Sequence, residues 1–417
     1  MKSPAFAVAL GLAMLTPSAS MHAEDGGRAA QEAAIRHYRM GTLVIEGAPG
    51  TAVKVEQTRH EFWFGAAIAS AAFDGGLPAA DTTKYREVFL ENFNAAVPEN
   101  ALKWLSMERT RGTVDYGTVD AILAWTEEHH LPLRGHNLYW GIPKFVQPWL
   151  KEMNDATLRT TLEARGRGIA GRYRGRFAEY DLNNEMMHED YYAQRLGPGI
   201  TADMARWVQE EDPGAVLFLN DYDILTGKRL DEFVAHVRRM QQLGVPVGGL
   251  GVQGHLHGEA FEPAALRHAL DVLAQFHLPI RVTEFNLPGQ RSRFLKDRAL
   301  QMTPAEEEAK AKAITDYYRI CFTHPAVDGI LMWGFWAGDN WIPASSLFKR
   351  DWTPTPAAQA YHDLIYKEWW TRWEGTVGAD GRCEVPAFYG SYRISAGDKT
   401  VDAELRKADG LALVKLP

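Results

Sequence analysis

The feature of this sequence that most constrains its fold is a repeated unit, in which a short apolar stretch precedes a longer segment with helical periodicity. Eight such units can be counted, and their predicted strands are residues 62–68, 94–97, 131–136, 180–182, 216–219, 248–252, 280–282 and 329–333. Strands that alternate with helices form a parallel sheet covered by helices, so eight units predict an α/β fold of the (β/α)8 or TIM-barrel type. A doubly wound open sheet is the alternative.

Two flanks lie outside the eight units. Residues 41–56 alternate apolar and polar side chains around Ala48-Pro49-Gly50, which predicts a β-hairpin within an N-terminal flank of residues 24–60. Residues 371–417 carry turn signals between short β-rich runs, and the two flanks could join in one small β-sandwich. The predicted barrel is then residues 61–370. We expect this accessory β-rich domain to be a structural cap, with a sugar-binding module as the alternative.

The first residues have the pattern of a secretory signal peptide. Lys2 supplies a positive charge, residues 5–15 are apolar, and Ser18-Ala19-Ser20 or Met21-His22-Ala23 offers a cleavage site. We therefore expect residues 1–23 to be removed, and the protein to be secreted or periplasmic. An uncleaved anchor is less favoured because the apolar run is shorter than the ~20 residues of a membrane span.

Composition excludes several classes of partner. A net charge of -8 does not fit a nucleic-acid-binding protein, which needs a basic surface, and no apolar run in the body of the chain is long enough to span a membrane. The only two cysteines, Cys321 and Cys383, could form a single disulfide in an oxidising compartment. Neither composition nor motif indicates the oligomeric state.

Polar residues follow most of the predicted strands, at the end where barrel enzymes carry their active sites. Two of them are glutamates, Glu185 after the fourth strand and Glu284 after the seventh. In a barrel their side chains would converge over one axial pocket, as cleavage of a glycosidic bond requires. One carboxyl group protonates the leaving oxygen, and the other faces the anomeric carbon.

The neighbouring residues fit the same chemistry. Asn184 could donate to a sugar 2-hydroxyl, a hydrogen bond that strengthens in an oxocarbenium-like transition state. His255 could hydrogen-bond Glu284 and help to keep it ionised. The indole rings of Trp140, Trp333 and Trp341 could stack on pyranose rings.

The polar strand ends form a series of motifs, namely Pro98-Glu99-Asn100-Ala101-Leu102-Lys103-Trp104, Arg134-Gly135-His136-Asn137-Leu138-Tyr139-Trp140, Asn184-Glu185, Gly251-Val252-Gln253-Gly254-His255, Glu284 and the segment 333–341. Through these motifs, residues from about 64 to 369 resemble glycoside hydrolase family 10, a family of retaining (β/α)8 xylanases. The resemblance implies that Glu185 is the acid/base and Glu284 the nucleophile. It also implies substrate-binding roles for Glu99, Asn100, Lys103, His136, Trp140, Asn184, Gln253, His255, Trp333 and Trp341.

The sequence departs from that family at two positions near the expected site. Gly141 stands where the family usually has a second histidine after the third-strand tryptophan. Asn286 stands where the family usually has an aspartate that orients the histidine, so a negative charge beside His255 is missing. The segment 186–190 after the acid/base is also unusual. These departures bear on the polysaccharide preference rather than on the reaction class.

Other chemistries are less well supported. A dinucleotide-binding pattern is matched by Gly249-Leu250-Gly251-Val252-Gln253-Gly254, but no helix start follows it. His255 and His257 could be metal ligands, but no third ligand stands at a defined spacing. We expect neither a cofactor nor a catalytic metal. The sequence thus predicts an endo-β-1,4-glycanase acting on a xylan-type polysaccharide or oligosaccharide. The alternatives are action on another or a decorated β-glycan, and a carbohydrate-binding protein without turnover.

Overall fold

The computed structural model describes residues 18–416, with side chains described from residue 27. The strands are β1 (Met40–Glu46), β2 (Ala52–His60), β3 (Trp63–Ile68), β4 (Ala95–Pro98), β5 (Arg134–Gly135), β6 (Tyr139–Trp140), β7 (Glu179–Asp181), β8 (Asn183–Asn184), β9 (Leu217–Asp221), β10 (Val247–Val252), β11 (His255–His257), β12 (Ile280–Gln290), β13 (Val327–Met332), β14 (Arg372–Thr376), β15 (Arg382–Phe388), β16 (Gly390–Ala396), β17 (Lys399–Leu405) and β18 (Leu411–Lys415).

The helices alternate with the barrel strands. They are α1 (Ser18–Arg39), α2 (Ala79–Asn92), α3 (Trp104–Met107), α4 (Gly117–Glu128), α5 (Pro148–Lys151), α6 (Asp155–Arg172), α7 (Tyr191–Leu196), α8 (Ile200–Glu211), α9 (Leu230–Gln242), α10 (Pro263–Ala274), α11 (Arg293–Lys296), α12 (Pro304–Thr323) and α13 (Pro356–Asp363). Most of the predicted signal peptide, residues 1–17, lies outside the described residues, and α1 covers both predicted cleavage positions. Among the described residues no helix combines the length and apolarity needed to cross a membrane.

Eight parallel strands form the barrel in the order β4-β3-β13-β12-β10-β9-β7-β5. A parallel bridge between Ala96 and Leu133 joins its first strand to its last, so the sheet closes on itself. All eight predicted strands are present, and the predicted (β/α)8 class is confirmed. The open-sheet alternative is wrong because an open sheet would leave β4 and β5 as unpaired edges.

The interior of the barrel contains charged side chains near the start of its strands. The guanidinium of Arg281 on β12 donates to Glu179 on β7 at 2.9 and 3.1 Å, although β9 and β10 separate these strands in the sheet. Arg134 on β5 contacts both Glu179 and Asp181. Two glycines of β10 face these side chains or their neighbours. A Cβ atom added at Gly251, for example, would lie 3.0 Å from Arg134 Nη2. Gly249 and Gly251 of the dinucleotide-like pattern therefore make room for side chains in the barrel interior.

The β flanks, defined here as β1, β2 and β14–β18, form two sheets of order β15-β1-β18 and β14-β2-β16-β17. The predicted hairpin is wrong: β1 and β2 do not pair with each other but enter different sheets. Leu43 and Ile45 of β1 face Val53 and Val55 of β2 across a shared apolar core. Each apolar strand face is buried more completely in this way than it would be in an isolated two-stranded ribbon.

The β flanks pack against the end of the barrel where the strands begin. Lys407 Nζ donates to Asp328 Oδ1 at 3.1 Å beside the start of β13, and Arg59 donates to the Asn94 carbonyl at 2.9 Å just before β4. Arg39, at the end of α1, donates to the carbonyls of Phe322, His324 and Val327 at 2.6 to 2.7 Å. The carboxyl ends of the strands are thus left open at the opposite face. Cys321 and Cys383 are both free thiols.

Candidate active site

A groove of about 420 Å³ opens at the carboxyl ends of the barrel strands. All twelve site residues predicted from the sequence line it: Glu99, Asn100, Lys103, His136, Trp140, Asn184, Glu185, Gln253, His255, Glu284, Trp333 and Trp341. They come from six barrel strands and the loops that follow them, so the barrel itself brings together residues that are distant in the chain.

Glu284 lies within β12 and is 4% exposed. His255 Nε2 is 3.0 Å from its Oε2, and Asn220 Nδ2 donates to its Oε1 at 3.0 Å. Burial alone would raise the pKa of this carboxyl group, but the hydrogen bond from His255 and the positive charges of His136, His255 and Lys103 lower it to about 2. Glu284 is therefore a carboxylate at any pH at which the protein would work.

Glu185 directly follows β8 and has a left-handed backbone with φ of 61°. Gln253 Nε2 donates to its Oε1 and Trp140 Nε1 to its Oε2, both at 2.9 Å. Burial, assisted by the negative charges of Glu284 and Asp221, raises the pKa of Glu185, and the two donors oppose this shift only in part. A left-handed glutamate is costly, and such strain concentrates at functional sites.

An amide network connects Glu284 with Asn184, the residue before Glu185. Asn220, at the end of β9, donates from the same Nδ2 to Asn184 Oδ1 at 2.9 Å and to Glu284 Oε1. Thr283 Oγ1 donates to Asn220 Oδ1 at 2.7 Å and so fixes which way this amide points. Because the Asn184 oxygen is occupied, its amide nitrogen is the atom left to donate to a sugar hydroxyl.

The Glu99 end of the groove contains a half-buried lysine between two indoles. Lys103 Nζ lies 4.9 Å from the ring centre of Trp140 and 5.5 Å from that of Trp333, and it donates to Asn100 Oδ1 at 3.0 Å. Burial lowers the pKa of Lys103, against the attraction of Glu284, Glu99 and Glu185. Burial also raises the pKa of Glu99. This end of the groove is polar and partly open to solvent, which suits the hydroxyl groups of a sugar.

Not every predicted contact is as expected. Phe145 stacks on Trp140 with ring centres 3.7 Å apart, so one face of that indole is covered by protein. The family resemblance implied that Gln253 binds substrate, and the structure adds that its amide nitrogen donates to Glu185. His257 Nε2 contacts Asp223, and its Nδ1 lies 2.6 Å from Lys228 Nζ, so both ring nitrogens have protein partners. Among residues 18–416 no group of three or more side chains could hold a metal ion.

The structure gives a steric reason for Gly141. An added Cβ at this position would lie 2.6 Å from Asp190 Oδ1 and 3.3 Å from the Tyr192 ring. Asp190 caps α7 by accepting from the backbone N–H groups of Tyr192 and Ala193, and Asn183 Nδ2 donates to it at 3.2 Å. The unusual segment after Glu185 therefore occupies the space that a larger side chain at Gly141 would need.

The groove also includes residues that the sequence did not single out, namely Trp104, Leu105, Ser106, Asn137, Lys144, Phe145, Gln147, Tyr192, Tyr222 and Gln290. Tyr222 comes directly after the polar residues that end β9, so its position after a predicted strand could have identified it as a groove residue. Gln147 had no such signal, because it lies in a loop beyond the third strand. Its amide nitrogen and both amide atoms of Asn137 are buried without a protein partner.

A closed parallel barrel that holds a protonatable and an ionised carboxyl group in one groove has the form of the barrel glycosidases. Comparison with known proteins agrees. The model of glycosyl hydrolase family 10 matches residues 55–364. The chain therefore belongs to glycosyl hydrolase family 10, as the sequence motifs indicated.

Sequence identity to individual curated relatives is low. The chain is 32% identical to the anti-sigma-I factor RsgI6 of Acetivibrio thermocellus over 82% of its own length and 42% of that protein. It is 30% identical to endo-1,4-beta-xylanase 2 of Arabidopsis thaliana over 83% of its own length and 30% of that protein. This chain thus spans less than half the length of both curated relatives.

Among solved structures, xylanase 10B of Thermotoga petrophila RKU-1, in complex with xylobiose, is similar with a TM-score of 0.65 and 25% identity. The match covers 74% of this chain and 95% of that one. A GH10 endoxylanase from a sugarcane soil metagenome matches with the same TM-score at 22% identity, over 73% of this chain and 97% of that one, and shows the fold alone.

Proposed function

We propose that the protein is a secreted or periplasmic retaining endo-β-1,4-xylanase. The observation that carries the proposal is the contrast between two glutamates in one groove: the pKa of Glu185 is raised and that of Glu284 is lowered to about 2. Two carboxyl groups separated in this way can act as proton donor and nucleophile at the same pH. The xylanases and the xylobiose complex among its relatives support xylan as the substrate class.

In the first step, Glu185 gives its proton to the glycosidic oxygen while a carboxylate oxygen of Glu284 attacks the anomeric carbon. The bond to the leaving sugar breaks, and a covalent glycosyl-enzyme forms. Glu185 is then a carboxylate and takes a proton from water as that water attacks the same carbon, which releases Glu284. Two displacements at one carbon return the original β configuration. Asn184 and His136 would hold the sugar at the reacting position, and Glu99, Asn100 and Lys103 the next one.

The test compares the purified protein with its Glu284→Ala variant on glucuronoxylan, arabinoxylan and a mixed-linkage glucan. Reducing ends measure cleavage, and proton NMR of early products identifies the anomer. We expect β-anomeric xylo-oligosaccharides from the unsubstituted protein and at least a 10³-fold loss in Glu284→Ala. Glu152→Ala, which removes an exposed carboxylate, is the matched control and should keep full activity. First-formed α products would overturn the retaining mechanism.

A binding role is the second candidate, because a chain similar to this one occurs in a protein named as an anti-sigma factor. It requires oligosaccharide binding without any product, and the same affinity in Glu284→Gln. Calorimetric titration of both proteins with xylohexaose, followed by chromatography of the mixture, separates this candidate from the enzyme. Activity on the mixed-linkage glucan alone would instead favour another β-glycan as substrate.

Export rests on the signal-peptide pattern of residues 1–23. Expression of the full chain in a Gram-negative host, followed by mass spectrometry of the periplasmic fraction, tests it. We expect a mature protein that begins near Glu24. An intact chain retained in the cytoplasm would contradict export and leave the catalytic proposal unaffected.

A further inference from the structure

His255 bridges the Glu284 carboxylate and a neutral amide. Its Nδ1 lies 2.7 Å from Asn286 Oδ1, and its Nε2 lies 3.0 Å from Glu284 Oε2. All three side chains are buried at the base of the groove. A neutral imidazole has one N–H donor and one bare acceptor nitrogen, so its partners decide which nitrogen keeps the proton.

The orientation of the Asn286 amide is determined by two groups that cannot change roles. The indole Nε1 of Trp341 can only donate, and it lies 3.2 Å from Asn286 Oδ1. The backbone carbonyl of Trp333 can only accept, and it lies 3.2 Å from Asn286 Nδ2. A flipped amide would set N–H against N–H and oxygen against oxygen, and would lose both hydrogen bonds.

Since the oxygen of Asn286 faces His255, Nδ1 of the ring must be a donor. A neutral His255 would then have a bare Nε2 directed at the oxygen of the Glu284 carboxylate, where two lone pairs would meet. A hydrogen bond between His255 and Glu284 therefore needs a second proton on the ring. Asn220 Nδ2 donates to Glu284 Oε1 at 3.0 Å, and a donor at a carboxyl group favours its ionised form, so that proton is on the histidine.

The other charged groups around the pair do not remove this requirement. Lys103 and His136 act on Glu284, with His136 Nδ1 4.0 Å from its Oε1. Glu185 lies in the same groove but hydrogen-bonds Gln253 and Trp140. The indole rings of Trp333 and Trp341 cover His255 without an acceptor for Nε2. Among the described residues, Glu284 is the only carboxylate in hydrogen-bonding contact with His255.

We propose that Asn286 is a positioning residue that fixes the proton of neutral His255 on Nδ1, so that His255 holds Glu284 only while the ring carries a second proton. Loss of that proton removes one of the two side-chain hydrogen bonds on the nucleophile and turns a lone pair toward it. Attack by Glu284 then slows at alkaline pH, independently of Glu185. The proposal rests on the proposed function, in which Glu284 is the nucleophile.

The direct test is the tautomer of His255, which does not depend on activity. The full chain is labelled with ¹⁵N-histidine, the His255 signals are assigned by their loss in His255→Gln, and shifts are followed from pH 5 to 10. We expect both nitrogens protonated at low pH and a bare Nε2 at high pH. In Asn286→Leu, which has no acceptor for Nδ1, the high-pH form should carry its proton on Nε2. A high-pH Nε2–H tautomer in the unsubstituted protein would overturn the proposal.

The kinetic test removes the contribution of Glu185. In a Glu185→Ala background, 2,4-dinitrophenyl β-xylobioside reacts without help from an acid, and the burst of dinitrophenolate measures attack by Glu284. We expect an alkaline decline of the burst rate, and Asn286→Asp should move its midpoint up by about 1 pH unit or more, because the added carboxylate stabilises the charged ring. An unmoved midpoint would contradict the proposal. Absence of any burst would contradict the proposed function instead, and the tautomer would still test this inference.

Discussion

Glu185 and Glu284 have the same side chain, yet their neighbours give them opposite acidities. Glu284 is surrounded by donors and positive charges that outweigh its burial, whereas the two donors on Glu185 do not. The sequence identified both glutamates because each follows a predicted strand closely. It could not identify Asn220 and Gln253 as their partners, since a contact between the ends of different strands depends on barrel geometry and side-chain orientation.

Removal of the amide donor to Glu185 should change its acidity in a known direction. Because the hydrogen bond from Gln253 stabilises the charged form, Gln253→Leu should raise the pKa of Glu185 further. The acid form then persists to higher pH, so the alkaline limb of kcat/KM on xylo-oligosaccharides should move upward. The limb on the dinitrophenyl substrate, which needs no acid, should stay in place. Gln301→Leu, at an exposed position outside the groove, should alter neither limb.

Gly141 should tolerate no side chain without loss of stability. Gly141→Ala forces a methyl group toward Asp190 Oδ1, and overpacking of this kind costs about 1–3 kcal/mol of unfolding free energy. Urea denaturation measures the loss. Gly168→Ala is the control, because an added Cβ there meets nothing within 4 Å. Equal unfolding free energies of Gly141→Ala and the unsubstituted protein would contradict this prediction, because they would show that Asp190, which caps α7, can shift without cost.

At the scale of the elements, periodicity located all eight barrel strands but not their lengths. The prediction ended the seventh strand at residue 282, whereas β12 continues to Gln290 because its far half pairs with β11. The short strands β6 and β8 also extend the third and fourth barrel strands by pairing only with each other. These extensions are tertiary contacts with no local sequence signal, and they carry Trp140 and Asn184 into the groove.

The ion pairs inside the barrel should make its stability sensitive to acid. Burial opposes ionisation of Glu179, but Arg281 and Arg134 outweigh it and lower the pKa of this carboxyl group. A lowered folded-state pKa contributes stability that is present above the unfolded value of about 4.3 and is lost as pH falls through the folded value. Glu179→Gln should cost about 3–5 kcal/mol at neutral pH, because it leaves buried arginine charge uncompensated.

Chemical unfolding at several pH values measures both effects. The difference in unfolding free energy between Glu179→Gln and the unsubstituted protein should shrink below pH 4. Glu128→Gln, on the exposed end of α4, should match the unsubstituted protein throughout. A pH-independent difference would show that the charge of Glu179 is not what stabilises the barrel.

At the scale of the whole molecule, the two ends of the described chain close over the start of the barrel. Arg39 is 4% exposed and donates to three backbone carbonyls between α12 and β13. The sequence indicated β-rich flanks, but it predicted that β1 pairs with β2. Alternation and a turn are local signals, so they cannot reveal that strands from the other end of the chain are the actual partners.

Arg39→Met should therefore destabilise the protein without changing catalysis. The His324 carbonyl still accepts from the Val327 N–H, but the carbonyls of Phe322 and Val327 lose the Arg39 donor, at about 1–3 kcal/mol each, so we expect an unfolding free energy lower by about 2 kcal/mol or more. Values of kcat/KM should stay within twofold, because Arg39 lies at the opposite end of the barrel from the groove. Arg36→Met serves as the exposed control. A large loss of kcat/KM in a folded Arg39→Met protein would indicate coupling between the two ends.

The placement of the β flanks also decides how they could act on a polymer. They lie beneath the barrel, and the six residues of β13 alone put ~20 Å between them and the groove. The stretch of glycan bound in the groove would therefore not reach the flanks. Carbohydrate held by the flanks would belong to another strand or to a remote stretch of the same one. Under the proposed function, the flanks could attach the protein to a solid substrate, and the loops at the carboxyl ends of the barrel strands would select the stretch of glycan that is cut.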